Sequence, residues 1–243
     1  MSVVRHIGII LFNDFEELDA VGPLEVFGVS DKHIQATRTT DGDNSISDEG
    51  DAGNNIQYQV ITVAVPSNPG GRQVRGSHGM CVTTDYAAND PHLPHLDIVL
   101  VPGGQGTRKL CKDRATTDWL ASVCEGATWV TSVCTGVLLL HAAGRATGKR
   151  VATHFLFEEK LEALGNVTVV RGQRWVVDGS LVTSQGVSAG IDMSLWLVGQ
   201  LHSPEHARAT QKFLQYDPAP PYQTEGGSAG PPRDSAAVHA EGS

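Results

Sequence analysis

Short apolar runs that alternate with helix-compatible stretches constrain this chain most. Ile7-Gly-Ile-Ile-Leu-Phe12, Tyr58-Gln-Val-Ile-Thr-Val-Ala-Val65, Leu96-Asp-Ile-Val-Leu-Val-Pro102 and Trp129-Val-Thr-Ser-Val133 are brief and largely apolar. That is the pattern of strands buried on both faces. Helix-compatible segments fall between them at 19–29, with Pro23 suited to a first turn, at 117–124 and at 137–143. Residues 155–164 form an amphipathic stretch with Phe157, Leu161 and Leu164 on one side. Further strands are predicted at 167–170, 174–177 and 181–183, with Asp178-Gly179 as a hairpin turn, and a closing helix at 189–201. This order predicts an α/β fold, a mostly parallel sheet sandwiched by helices.

The length of 243 residues suits one large α/β domain, which we place at 1–222. Within it, 35–55 is polar and rich in Asp, Gly, Ser and Thr, and reads as a loop insertion. Residues 223–243 are rich in Gly, Ser, Pro and Ala and read as a disordered tail. The net charge of -9, with no Lys/Arg cluster, argues against a nucleic-acid surface. No apolar run approaches the ~20 residues that span a bilayer, and the apolar start reads as a first strand rather than a signal peptide. Cys81, Cys111, Cys124 and Cys134 form no disulfide framework and show no zinc spacing, so a cytoplasmic location is expected.

Cys134 lies between the strand ending at Val133 and the apolar run that starts at Val137, with Gly136 keeping the turn small. This is the arrangement of a nucleophile elbow, in which a strained turn exposes the side chain to a helix N-terminus. Such a terminus is expected to lower the thiol pKa. A buried structural cysteine is the competing reading. Other strand ends carry Asp19, which as an isolated carboxylate reads as an N-cap, and Val101-Pro-Gly-Gly-Gln-Gly106, whose open backbone N–H groups suit a developing anion. His154 is a further candidate. His202 and His206 are spaced for a metal on one helix, but Ser203-Pro204 interrupts it and no third ligand is evident.

Together these segments resemble the ThiJ/PfpI superfamily, with its class I glutamine amidotransferase-like, flavodoxin-like fold. Within it the chain is most similar to the isonitrile (isocyanide) hydratases. The resemblance rests on Leu18-Asp-Ala-Val-Gly-Pro23, Val101-Pro-Gly-Gly104, Val130-Thr-Ser-Val-Cys-Thr-Gly136, Gly148-Lys-Arg-Val-Ala-Thr-His154, Gly186-Val-Ser-Ala-Gly-Ile-Asp192 and Tyr216-Asp-Pro-Ala-Pro-Pro-Tyr222. It implies Cys134 as nucleophile, Asp19 as general acid/base, backbone N–H groups of Gly104 and Thr135 beside the site, and His154 in support. It also implies a small-molecule substrate, no metal or organic cofactor, and a homodimer. Thr135 stands where protease-like members carry His. Ala152 and Phe155 depart from the Thr-Thr-His-Trp pattern of the hydratases.

The implied reaction converts an isocyanide to an N-substituted formamide. Its rivals are a glyoxalase-like hydration of 2-oxoaldehydes by Cys134, Asp19 and His154, and a non-catalytic small-molecule or redox sensor. Similar domains form the N-terminal half of AraC-type regulators, but the polar stretch after Tyr222 offers no helix-turn-helix.

Overall fold

The computed structural model describes residues 3–39 and 56–219. Strand β1 (Val3–Leu11) pairs in parallel along its whole length with β2 (Ile56–Ala64). On its other side β1 pairs with β6 (Ile98–Val101), which pairs in turn with β7 (Trp129–Ser132). β11 (Leu181–Ser184) adds in parallel to β7, and β10 (Trp175–Asp178) closes that edge antiparallel to β11. β5 (Tyr86–Ala87) lies at the opposite edge beside β2. The seven-stranded sheet therefore runs β10-β11-β7-β6-β1-β2-β5 and is parallel except for β10. Ile7 and Ile9 to Leu11, like all of β6, are at most 2% exposed. Continuous apolar runs arise because both faces of these strands are covered.

One group of helices packs together as α1 (Glu17–Thr39), α6 (Ala189–Leu201) and α7 (Pro204–Phe213). A second group contains α2 (Thr107–Leu110), α3 (Arg114–Glu125) and α4 (Gly136–Ala142). The predicted helix-covered parallel sheet is the fold observed. Two small ladders stand apart from the main sheet: β3 (Gln73–Arg75) against β4 (Cys81–Thr83), and β8 (Lys149–Val151) against β9 (Val167–Val169). No helix among the described residues is long and apolar enough to cross a membrane.

Several boundaries differ from expectation. Helix α1 begins at Glu17 and continues to Thr39, so Pro23 lies inside it rather than in its first turn. Its ring supplies no N–H for the Asp19 carbonyl one turn earlier. The first five residues of the polar stretch 35–55 are thus helical, while 40–55 and the tail 223–243 lie outside the described residues. The stretch 155–164 divides into a 3-10 turn, Phe155–Phe157, and α5 (Glu158–Ala163). Leu161 is fully buried there, whereas Leu164 is exposed.

Helix α6 does not close the fold, because α7 follows it. Pro204 is the first residue of α7, where a missing N–H costs nothing, and the Ser203 side chain caps the helix by accepting from the His206 N–H at 3.1 Å. The expected interruption between His202 and His206 is therefore present, yet their rings lie 4.8 Å apart. The hairpin loop is Gly179-Ser180, one residue beyond the predicted turn, with Gly179 at φ 64.

The strand order fixes where a site can form. From β1 the chain crosses through α1 to β2 on one side, and β6 then takes up the other side. The loops leaving β1 and β6 diverge, which opens a crevice at the carboxyl ends of the strands.

Candidate active site

Three chain segments meet at that crevice. Asp19 comes from the first turn of α1, Gly103 and Gly104 from the turn after β6, and Cys134 from the turn after β7. Cys134 has φ 57, a left-handed conformation that a side chain rarely adopts. Its surroundings hold it there. Its N–H donates to the Ser184 and Gln185 carbonyls at 3.2 and 3.1 Å, and its carbonyl accepts from the Thr153 hydroxyl at 2.9 Å. Strain fixed on both sides in this way is characteristic of functional turns. Gly136 follows because a Cβ there would stand 2.0 Å from the Val101 carbonyl oxygen.

Asp19 is fully buried. It does not cap α1, as an isolated carboxylate at this place would. Its Oδ2 accepts from the Gly103 N–H at 2.9 Å, and its Oδ1 has no partner meeting ordinary hydrogen-bond geometry. Burial raises its pKa to about 7, against the lowering effect of the Gly103 N–H; Glu16 adds to the rise, and Cys134 offsets it as a weak donor.

The thiol reverses the expectation drawn from the helix terminus. Burial first, and the Asp19 charge second, push the Cys134 pKa up to about 12. The N–H groups of Thr135 and Val187 and the Thr135 side chain pull the other way without prevailing. The low dielectric outweighs the few backbone dipoles of α4, which has only seven residues. Thiol and carboxyl act on one another, so their titrations belong to the pair.

Of the two expected backbone donors, the Thr135 N–H does lie against the sulfur, whereas that of Gly104 is taken up elsewhere. The Gly104 N–H is occupied by Thr135 Oγ1 at 3.1 Å. Thr135 Oγ1 also accepts from the Thr107 hydroxyl at 3.3 Å, so this side chain braces the glycine turn. The backbone donors that act on the Cys134 sulfur come from Thr135 and Val187. Val187 has φ 46, a pronounced outlier for a β-branched residue. Its sequence context, Gly186-Val-Ser-Ala-Gly190, gave no sign of this. His154 reaches the pocket but also caps the following turn, its Nδ1 accepting from the Leu156 N–H at 3.3 Å. A Cβ on Gly186 would lie 2.4 Å from the His154 ring, so Gly186 makes room for it.

Cys134, Gly104, Thr135, His154 and Val187 line a pocket of about 360 Å³. That volume suits a small molecule. Its other walls include residues that the sequence reading passed over. Ser77 and His78 arrive from the β3–β4 hairpin, and Arg108 and Phe157 from α2 and the 3-10 turn. His78 is fastened to α1 by bonds to Glu17 at 2.6 Å from its N–H and 2.8 Å from Nδ1. Glu16, Glu17 and His78 bring their ligand atoms within 4.8 Å of one another, but His78 is already bound to Glu17 and largely exposed.

Residues 5–200 match the DJ-1/PfpI family. The chain is 42% identical over 220 residues to an isonitrile hydratase of Pseudomonas putida, covering 90% of this chain and 82% of that one. It is 24% identical over 156 residues to the glutathione-independent glyoxalase DJR-1.2 of Caenorhabditis elegans, covering 64% of this chain and 80% of that protein. A crystal structure of a ThiJ/PfpI family protein from Pseudomonas syringae superposes with a TM-score of 0.72 at 25% identity, over 91% of this chain and 78% of the other.

Proposed function

Because the chain belongs to the DJ-1/PfpI family, we propose that the buried Cys134–Asp19 pair hydrates isonitriles to N-substituted formamides. The observation that carries this reading is a strained cysteine beside a carboxyl of raised pKa, at a small pocket, in a chain 42% identical to an isonitrile hydratase. The terminal carbon of R–N≡C accepts both a nucleophile and a proton. The Cys134 sulfur forms a bond to that carbon. Asp19 takes the thiol proton and passes it to the same carbon, giving the thioimidate R–N=CH–S–Cys.

Water then adds across the C=N bond, its oxygen to carbon and a proton to nitrogen, with Asp19 as the base. The tetrahedral adduct collapses with cleavage of the C–S bond. The thiol regains its proton, and R–NH–CHO leaves. The N–H groups of Thr135 and Val187 support the sulfur while it carries charge. A carboxyl with a pKa near 7 suits this exchange, because it takes and returns a proton with little penalty at neutral pH.

The test is formamide release from benzyl isocyanide by the wild type beside Cys134→Ala. Formamide from the wild type alone is expected. Equal turnover by both would overturn the covalent role of Cys134, and methylglyoxal converted to lactate in place of formamide would move the assignment to glyoxalase chemistry.

A further inference from the structure

On the reading that the pocket hydrates isonitriles, we infer that its preferred substrates carry a carboxylate on the isonitrile's substituent, and that Arg108 recognises it. Arg108 lines the same pocket as Cys134. Its guanidinium lies 4.4 Å over the Phe157 ring, and one nitrogen donates to the Gly104 carbonyl at 2.5 Å. Stacked and tethered, the planar fork is held in one orientation, so little conformational freedom remains to be lost on binding. Among the described residues no carboxylate lies within 4.0 Å of it, although the chain as a whole carries a net charge of -9.

The pocket's acidic side is arranged differently. Glu16 and Glu17 face His78, at 3.6 and 2.8 Å. These carboxylates already have His78 as a partner, and the pocket's arginine has no carboxylate partner among the described residues. Lys160 stands 5.5 Å from the same Phe157 ring, adding positive charge at that wall. A partly desolvated guanidinium with free N–H donors matches a planar carboxylate in two parallel hydrogen bonds. The neutral isonitrile carbon meets Cys134, and the charged end of the substrate meets Arg108.

Isocyanoacetate and its methyl ester differ in charge and little in reach, so their kcat/KM values isolate the effect. The wild type should favour the acid by about 10-fold or more, the scale of a charge-assisted hydrogen bond. Arg108→Gln should collapse that ratio towards one, and Arg108→Lys should keep part of it. Equal rates on acid and ester, or faster turnover of the ester, would overturn the inference and leave hydration intact. A wild-type preference that survives in Arg108→Gln would do so too, as would an equal loss on both substrates, because an arginine serving only to brace the Gly104 carbonyl cannot change the ratio. No formamide from either compound, nor from benzyl isocyanide, would overturn the hydratase reading itself.

Discussion

The Gly103 N–H donates to Asp19 Oδ2 at 2.9 Å, and this bond ties the turn after β6 to the first turn of α1. Only a residue without a side chain permits it. A Cβ at Gly103 would lie 2.6 Å from the Thr135 nitrogen and 2.8 Å from Asp19 Oδ2. Both neighbours are buried, so a Cβ is accommodated only by shifting the turn against the carboxyl, which disturbs the Gly103–Asp19 bond. Gly103→Ala should lower kcat on an isocyanide by about 100-fold, the scale of a displacement near 1 Å at a reacting group. Circular dichroism should show the helices and sheet retained. Native kinetics in a folded Gly103→Ala protein would mean that Asp19 is not held at its working position by this bond.

Activity should follow the first proton lost from the Cys134–Asp19 pair. Below about pH 7 the carboxyl is protonated as well as the thiol, and the pair has no base. Above it the pair holds one proton, and the thiol itself resists ionisation to about pH 12. The kcat/KM for a neutral isocyanide should therefore rise through an apparent pKa near 7 and remain level through pH 9. A flat profile from pH 5 to 9 would contradict this assignment.

The same raised pKa weakens the fold. Below pH 3.8 folded and unfolded chains both hold the Asp19 proton. Between 3.8 and about 7 only the folded chain holds it, so this group's contribution to stability falls as pH rises. Above about 7 the penalty is complete, on the order of 4 kcal/mol at ~1.4 kcal/mol per unit. Asp19→Asn removes the charge and keeps an oxygen acceptor for Gly103. Its melting temperature should exceed the wild type's at pH 8.5 and nearly match it at pH 4.5. A variant less stable than the wild type at pH 8.5 would show that the ionised carboxylate stabilises the fold.

The parallel strands were legible in the sequence because burial on both faces leaves continuous apolar runs, as at Ile7–Leu11. Cys134 was legible because strand, small turn and helix follow one another along the chain. Val187 and Arg108 were not, since their relation to the site depends on how distant segments pack. Nothing local shows that a valine adopts φ 46, or that an arginine on a four-residue helix lies over Phe157. The thiol's pKa was misjudged for the same reason. A helix start is visible in sequence, whereas the burial that outweighs it is a tertiary property. Helix α7 was missed because Pro204 was read only as a stop, although Ser-Pro also begins helices.

Thr135 offers a test of the brace independent of the acid/base pair. The residue is buried, and its hydroxyl accepts from the Gly104 N–H and the Thr107 hydroxyl. Thr135→Val keeps the shape and leaves the Gly104 donor buried without a partner, which costs about 1–3 kcal/mol. Thr135→Ser keeps the oxygen and removes one methyl group, so it should lose less than about 1.5 kcal/mol. Urea denaturation of both variants, with equal m-values, separates the hydrogen bond from the packing. Because Gly104 adjoins Gly103, the valine variant should also loosen the Asp19 tether and lower kcat more than the serine variant does. Equal stability in the two variants would mean that the turn is held by its packing and that the hydroxyl contributes nothing.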